Sequence, residues 1–461
     1  MTRAARRIFL GMMCVFVVGG ALRAEPAAEL RVGTFQCDVT PPIGHWLYAH
    51  PLKTVEHPLL AKGVVLEQAG KRYVLCAIDW CVLSGGAHTL LRQKLGAGAG
   101  TDLANTVIQC VHQHTAPIID TEAKRLLADV ENPPEYYDPA FLDKVASDLA
   151  NAVRDAVAHL EPCDRIGSSQ AKVERVASNR RIMVDGKVRW RGSSGGRNPA
   201  LAELPEGTID PFVKTITFAR GEKPIARLHY YATHPQSFYR DARASYDFVG
   251  MAREKLQEEE GTFQVYFTGC AGDVAAGKYN DGTREARQGL YERLLAGMKA
   301  SAAATEYQPV APIVWRTVDL VLPPKNAPGY NPETFRKTLL DPKQPPSRRI
   351  WAARRLAFYD RTEPIAISSL QMDDLYIVHL PGEPMLEFQL FAQKQRPGAF
   401  VAVAGYGDGC TSYICTAQSF EEGAYEPGAA AVGPGSEKIL KAAIRELMGV
   451  QVGTVGKPCH N

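Results

Sequence analysis

The chain has 461 residues, of which 45% are hydrophobic and 22% are charged. This balance indicates a large globular core and excludes a disordered protein. The 53 basic and 50 acidic residues nearly cancel. Loss of residues 1–24, which contain four arginines and no acids, would leave a net charge near −1. Such a balance argues against nucleic acid as the partner.

The first 24 residues predict an export signal. Arginines stand at its start, an apolar stretch covers 8–21, and Leu22-Arg23-Ala24 offers a cleavage site before Glu25. Arg6-Arg7 with the apolar residues after it also resembles a twin-arginine signal, which indicates export of a folded protein. We expect a periplasmic or extracellular protein without a transmembrane helix once the signal is removed. An uncleaved membrane anchor is the alternative.

Apolar runs and helical periodicity alternate along the rest of the chain. Strands are predicted over 30–37, 63–68, 73–79, 106–112, 165–176, 212–219, 224–232, 263–268, 313–322, 364–371, 374–380 and 399–404. Helices are predicted over 142–160, 247–259, 282–302, 333–340, 346–358, 384–394 and 435–448. This order favours an α/β fold of mixed β-sheets flanked by helices. We expect residues 25–461 to form a single domain.

Two long polar segments interrupt this pattern, at 177–210 and 405–434. Loops of this length in a compact domain usually line a site or are disordered. Because both contain aromatic residues or arginine rather than plain serine and glycine, we predict that they line a site.

Nine of the ten cysteines follow the signal, without the paired spacing of a zinc-binding motif. Several lie in apolar strands, where a thiol behaves as a small hydrophobic group. We therefore expect mostly buried thiols with at most one disulfide.

His112 and His114 directly follow a strand-like apolar run. Side chains two residues apart on a strand point to one face, so both imidazoles would emerge together at the strand end. This arrangement suits a metal ion or a proton transfer, although two hydrogen-bonded loop histidines would show the same pattern.

Three other segments place polar groups at the ends of predicted elements. His234 follows a strand, and Glu383 lies between a strand and a helix. Tyr413 occupies a glycine-bordered turn. Each has a plainer interpretation, namely a capping histidine, an acid at a helix start and a packed tyrosine.

Taken in order, several motifs resemble the N-terminal catalytic domain of neutral/alkaline ceramidases, which are exported zinc amidases. These motifs are Asp38-Val39-Thr40-Pro41-Pro42-Ile43-Gly44, His112-Gln113-His114-Thr115-Ala116-Pro117, Ala232-Thr233-His234-Pro235, Ala271-Gly272-Asp273-Val274, Pro381-Gly382-Glu383 and Tyr413. The resemblance runs from about residue 31 to about residue 436. It implies the ceramidase fold for nearly all of the chain that follows the signal.

The resemblance also implies roles for individual residues. Zinc would be held by His112, His234, Glu383 and Tyr413, which is compatible with the ligands that catalytic zinc prefers. The resemblance places Arg180 and Tyr425 around the scissile group, and His114 and Asp273 complete our set of candidate catalytic residues. Among these, His114 would bind the substrate oxygen or move a proton, and Arg180, or its neighbour Arg181, would neutralise an oxyanion or bind an anionic substrate.

The chain departs from the family at its nucleophile. Where related ceramidases continue Gly-Asp-Val with a serine, this chain has Ala275. We also expect it to lack their immunoglobulin-like C-terminal domain. We therefore expect a zinc-dependent hydrolase that uses metal-activated water on an amide, ester or related bond of a lipid or glycan-derived small molecule other than ceramide. Asp273 is a second candidate for the base, and Cys270 or Ser237 could be a substitute nucleophile.

Three alternatives stay open. The protein could be a binding protein that kept the zinc pocket and lost catalysis with the serine. It could be a true ceramide amidase with a different nucleophile. A structural protein of the cell envelope would share only the export signal.

Overall fold

The computed structural model describes residues 29–48, 50–238 and 242–450. The predicted export signal lies outside this range and stays a prediction. Among the described residues, every helix is too short or too polar to cross a lipid bilayer.

The strands are short to medium in length. In chain order they are β1 (Leu30–Asp38), β2 (Thr54–Val55), β3 (Leu60–Gln68), β4 (Lys71–Ile78), β5 (Val82–Ser84), β6 (Thr106–Cys110), β7 (Ile118–Asp120), β8 (Glu161–Cys163), β9 (Arg165–Lys172), β10 (Ser178–Asn179), β11 (Arg181–Val184), β12 (Lys187–Trp190), β13 (Phe212–Arg220), β14 (Lys223–Tyr231), β15 (Arg243–Ala244), β16 (Phe263–Thr268), β17 (Val274–Ala275), β18 (Glu306–Pro309), β19 (Val314–Leu320), β20 (Ile365–Met372), β21 (Leu375–His379), β22 (Glu383–Pro384), β23 (Phe400–Ala404) and β24 (Tyr413–Ile414).

Helices lie between the longer strands. They are α1 (Gly85–Ala99), α2 (Thr121–Ala128), α3 (Pro139–Ala158), α4 (Pro199–Glu203), α5 (Asp247–Glu260), α6 (Arg284–Ala303), α7 (Pro332–Leu340), α8 (Pro346–Tyr359), α9 (Leu386–Lys394), α10 (Ala417–Glu422), α11 (Tyr425–Ala429) and α12 (Ser436–Leu447). The seven helices and twelve strands predicted from the sequence are all present, with shifted ends.

Three mixed sheets organise these elements. Their strand orders are β6-β4-β3-β1-β8, β16-β14-β13-β9-β18 and β19-β20-β21-β23. Each sheet contains one parallel pair, namely β4 with β6, β14 with β16 and β21 with β23, and is otherwise antiparallel. The prediction of an α/β fold with mixed sheets is confirmed.

Helices cover the sheets on their outer sides. Helices α1 and α3 contact the first sheet, α5 and α6 contact the second, and β16 contacts three strands of the first sheet. Central strand β3 is therefore almost continuously buried, which explains its apolar run, because both of its faces are covered. Helices α9 and α12 contact the third sheet and share an apolar core with it.

Helix α1 was not predicted from the sequence. It contains four glycines, Gly85, Gly86, Gly96 and Gly98, and glycine disfavours a helix interior. A Cβ atom on Gly98 would lie 2.5 Å from the carbonyl oxygen of Ala150 in α3. Close packing of two helices therefore requires the residue that lowers helix propensity.

The eight cysteines in the described part of the chain are all free thiols, and seven of them are buried. For these residues the prediction of buried thiols is confirmed, and no disulfide forms among them. Cys14 and Cys459 lie outside the described residues.

Candidate metal centre

The strand before His112 and His114 ends earlier than predicted. Strand β6 ends at Cys110, and His112 adopts a left-handed conformation with φ 76°. We predicted that the two rings meet because side chains alternate along a strand, and this explanation is wrong. The rings still meet, because the chain turns: their centroids are 4.9 Å apart and their Nε2 atoms 3.3 Å apart.

A buried ion pair holds this turn in place. Arg253 of α5 donates two hydrogen bonds of 2.9 Å to the Asp79 carboxylate. The same carboxylate accepts a 2.9 Å hydrogen bond from the side chain of Gln113, between the two histidines. A buried hydrogen-bonded ion pair of this kind favours one conformation, so the positions of both imidazoles depend on α5.

The two predicted histidine ligands are oriented in the same way. Nδ1–H of His112 donates to the carbonyl of Cys81 at 2.7 Å, and Nδ1–H of His234 donates to that of Ala271 at 2.6 Å. Each ring therefore has a proton on Nδ1, which leaves Nε2 as the nitrogen that can bind a metal ion or a second proton. Backbone carbonyls commonly orient metal-binding histidines in this manner.

Glu383 completes the group of converging lone pairs. Its Oε2 atom lies 3.3 Å from Nε2 of His112 and 3.5 Å from Nε2 of His234. The three side chains offer atoms that all lie within 4.8 Å of one another. Oε2 of Glu383 and Nε2 of His234 are buried and make no hydrogen bond in the described part of the chain. Buried polar atoms without partners are costly, and a divalent cation would satisfy these two together.

The pKa values of His112 and His234 depend on their burial and on the Glu383 carboxylate. Burial disfavours charge on His112, but the Glu383 carboxylate outweighs it and raises the pKa of His112 to about 10. Burial lowers the pKa of His234 to about 4. A bound cation would take the place of the proton between His112 and Glu383, since metal ligation needs neutral imidazole. The residues present therefore fit a metal ion.

Tyr413 lies beside Glu383. The two residues are paired directly across β22 and β24, and the Tyr413 ring centroid is 6.5 Å from that of His234. Gly382 makes this approach possible, because it has φ 57° and a Cβ there would overlap the Thr411 side chain. Nη1 of Arg180 donates to the phenol oxygen at 3.3 Å. Ligation by Tyr413 stays a prediction.

His114 is oriented differently from the other two histidines. Its Nδ1 atom accepts a 3.0 Å hydrogen bond from Nε2 of Gln236, so its proton lies on Nε2. Burial, followed by the neighbouring His112 and His234, lowers the pKa of His114. A neutral ring with an Nε2 proton is a hydrogen-bond donor toward the centre rather than a metal ligand.

Cys81 is a neighbour that the sequence did not indicate. With His112 and His114 it forms a second group able to hold a metal ion. That group would use the Nδ1 side of His112, where Sγ of Cys81 is 4.0 Å away and the Cys81 carbonyl already accepts a hydrogen bond. The group with Glu383 has the better aligned lone pairs.

Arg180 lies within a cage of aromatic rings. Its guanidinium carbon is 5.2 Å from the Trp190 ring, 5.8 Å from Tyr413 and 5.3 Å from Tyr425. Its Nε atom is 3.2 Å from the buried carboxylate of Glu426. Burial disfavours the charge, yet Tyr413 and Glu426 raise the pKa of Arg180 above its ordinary value. Arg180 is thus a fixed cation, and its contact with the centre is through the Tyr413 hydroxyl.

Arg181, the alternative to Arg180, turns away from the centre and pairs with Glu422 and Glu426. Tyr425 stands over the site with 43% of its surface exposed, and its ring contacts Tyr413 at 5.7 Å between centroids.

Asp273 lies behind the centre. Its two oxygens accept hydrogen bonds from the backbone of Leu386 at 2.8 Å and from the Asn179 side chain at 3.1 Å. It does not line either cavity beside the histidines. Its contacts fit a residue that positions β22 and the Asn179-Arg180 segment, and its catalytic role stays a prediction.

Position 275 and the two candidate nucleophiles lie away from the cavities. Ala275, which has no nucleophilic group, is completely buried, in β17. Cys270 is buried as well, and burial raises the pKa of its thiol well above its ordinary value. Ser237 donates its hydroxyl proton to Asp247. In the described residues, none of the three lines either cavity.

Two cavities meet at the histidines. One of about 360 Å³ is lined by His112, His114, Glu383 and Tyr413 together with residues of α8. The other, of about 660 Å³, is lined by His114, Arg180, Trp190 and the glycine-rich segment 192–195. Tyr425 borders both. Residues of both long polar segments, 177–210 and 405–434, line these cavities, as predicted.

Comparison with known proteins identifies the fold. No family model and no curated protein matches the chain. A solved neutral ceramidase from Pseudomonas aeruginosa superposes with a TM-score of 0.69 over 94% of this chain and 76% of that chain, at 14% identity. A structure of a ceramidase complexed with C2 gives a TM-score of 0.69 over 93% and 77%, at 15% identity. The protein therefore has the neutral ceramidase fold.

Proposed function

We propose that this protein is an exported zinc-dependent hydrolase that cleaves an amide, ester or related bond with water as the nucleophile. Residues 25–461 would form its single catalytic domain. The substrate is a small molecule, lipid or glycan-derived, other than ceramide. One observation carries the proposal: lone pairs of His112, His234 and Glu383 converge on one buried point beside two cavities.

His112, His234, Glu383 and Tyr413 would hold the zinc ion. Zinc held there supplies Lewis acidity and lowers the pKa of a water molecule toward about 7. Two neutral imidazoles and a carboxylate are a recurrent catalytic zinc set. The backbone hydrogen bonds to both Nδ1 atoms keep the ligands oriented before substrate arrives.

His114 and Arg180 would act on the substrate oxygen. His114 directs its Nε2 proton toward the centre and can donate a hydrogen bond to that oxygen. Arg180, which lines the larger cavity together with His114, adds a permanent positive charge that can stabilise an oxyanion. Tyr425, at the border of both cavities, would shield the reacting group from solvent.

Water is the proposed nucleophile because the chain has no hydroxyl at position 275 and because Cys270 and Ser237 do not line the cavities. The same observation favours a substrate other than ceramide, since the serine of related ceramidases is absent. It also supports a second candidate function, a binding protein that kept the zinc pocket and lost turnover.

Turnover of a broad panel of amides and esters by the zinc-loaded protein separates the two functions. We expect hydrolysis by the wild type and a loss of about 10²- to 10⁴-fold in His114→Ala, the usual contribution of a proton-transfer group. The control is His159→Ala, which removes an exposed histidine at the end of α3. If wild type and His114→Ala are equally inactive on the whole panel, the protein is a binding protein and not a hydrolase.

A further inference from the structure

The cavity beside the candidate metal centre contains two arginines that the proposed chemistry does not use. Arg354 and Arg355 are consecutive residues of α8, and both line the 360 Å³ cavity together with His112 and Glu383. Neither arginine was predicted to be a site residue, because the sequence of α8 is that of an ordinary basic helix. Two adjacent guanidinium groups in a partly enclosed cavity create a strong positive potential.

Arg355 has no anionic partner among the described residues. It is 2% exposed, and its Nη2 atom donates a 2.7 Å hydrogen bond to the Ala429 carbonyl. Its Nε and Nη1 atoms are buried without a hydrogen bond. The Trp351 ring lies 5.0 Å from its guanidinium carbon, which helps to hold the charge but does not neutralise it. Burial lowers the pKa of Arg355 and Arg354 lowers it further, against the effect of Tyr330.

Arg354 is only partly compensated. Its closest carboxylate oxygen, in Asp120, is 3.7 Å from Nε, which is beyond hydrogen-bond distance. The other oxygen of Asp120 caps helix α2 by accepting from the Ala123 backbone at 2.9 Å. Because a buried charge without a partner costs several kcal/mol, an anion from outside would stabilise this pair of arginines.

The pair of arginines has a surplus of about one positive charge. Asp120 offsets one of the two arginines, and the Glu383 carboxylate faces the metal point and His112. A singly charged group such as a carboxylate matches this surplus. Apolar and aromatic side chains complete the lining, with Leu47 and Ile350 next to Trp46 and Trp351, and they suit an apolar body attached to the anion.

We propose that the substrate of this site carries a carboxylate, bound by Arg355 with the help of Arg354, next to the bond that the metal centre cleaves. An N-acyl amino acid has this combination of an apolar acyl group, an amide and a single negative charge. This inference rests on the proposed hydrolase function for the position of the scissile bond. The anion site itself depends only on the two arginines.

A matched pair of small ligands tests the site. Hippurate (N-benzoylglycine) and N-benzoylglycinamide have the same benzoyl amide and differ in one negative charge. Their dissociation constants are measured by calorimetry on the zinc-loaded protein, with the variants Arg355→Gln and Arg354→Gln. The control is Arg348→Gln, which removes an exposed arginine of the same helix that does not line the cavity.

We expect hippurate to bind about 10- to 100-fold more tightly than the amide, as charge-assisted hydrogen bonds to a buried cation predict. Arg355→Gln should lose this preference, Arg354→Gln should weaken it, and Arg348→Gln should keep it. Equal affinity of the two ligands for the wild type overturns the proposal without reference to any variant, so a misfolded variant does not leave the question open.

Two further outcomes are distinguishable. A carboxylate preference that disappears after treatment with EDTA but persists in Arg355→Gln would place the carboxylate on the metal and overturn the inference. A preference that survives EDTA, in a protein that hydrolyses nothing, would support the anion site and contradict the proposed hydrolase.

Discussion

Hydrogen bonds to the ring nitrogens divide the three histidines of the centre into two kinds. His112 and His234 donate from Nδ1 to backbone carbonyls and present Nε2 lone pairs, whereas His114 accepts at Nδ1 from Gln236. This difference follows from the folded structure, because in the sequence His112 and His114 belong to the same short motif. It supports two histidine ligands and one hydrogen-bond donor.

Gln236→Leu tests this division. The change removes the hydrogen bond that keeps the His114 proton on Nε2, so we expect turnover to fall about 10- to 100-fold, the usual effect of losing an orienting partner. Zinc content, measured by inductively coupled plasma mass spectrometry, should stay the same as in the wild type. Loss of zinc with unchanged protein folding would instead identify His114 as a ligand.

Helix α1 shows how packing overrides local preference. Its glycines disfavour a helix in isolation, but Gly98 lets α1 approach Ala150 of α3. The two helices together cover the first sheet, on whose edge strand β6 the His112 turn depends. The close contact between α1 and α3 therefore contributes to holding the centre in place.

Gly98→Ala should destabilise the protein by about 1–3 kcal/mol, the range for overpacking a close contact. The free energy of unfolding is measured by urea denaturation. Gly435→Ala is the matched control, since a Cβ at Gly435 meets no atom within 4 Å and its φ is −61°. Equal stability of the two variants would show that α1 and α3 separate easily.

At the level of helices and strands, much of the fold could be predicted from the sequence. Strands such as β3 and β21 are buried along almost their whole length and contain apolar runs, and α3 has a clear apolar stripe. Helix α1 could not be predicted, because its reason lies in a contact with residues fifty positions away. The φ of 76° at His112 also had no local signal.

In the whole molecule, the candidate site was predictable only through several motifs taken together. His234, Glu383 and Tyr413 each have an ordinary interpretation, and only their order along the chain indicated a common centre. Arg354, Arg355 and Cys81 were missed because nothing in their local sequence differs from a basic helix or an apolar strand end. These residues reach the site only through contacts between segments that are distant in the sequence.

Buried histidines away from the site make global stability depend on pH. His229 lies in β14, accepts a hydrogen bond from Thr215 at 2.9 Å and donates one to Gln264 at 2.7 Å. Burial lowers its pKa to about 4. The unfolded chain, with an ordinary value of about 6.5, therefore binds more protons between these values.

This stabilising effect of neutral His229 is present above pH 6.5 and is lost as the pH falls to about 4. We expect the free energy of unfolding to fall over that range, and His229→Gln to reduce the slope by up to about 1.4 kcal/mol per pH unit. Urea denaturation in the presence of EDTA avoids effects of metal binding. A slope unchanged in His229→Gln, as in the control His159→Gln, would contradict this account.

Anomalous diffraction at the zinc edge from crystals of the purified protein tests the metal centre itself. We expect one strong anomalous peak about 2.0–2.2 Å from Nε2 of His112, Nε2 of His234 and the Glu383 carboxylate, with the Tyr413 phenol as the fourth ligand. A zinc-supplemented crystal with no peak at this point, or with its peak on Cys81 and His114 instead, would contradict this expectation.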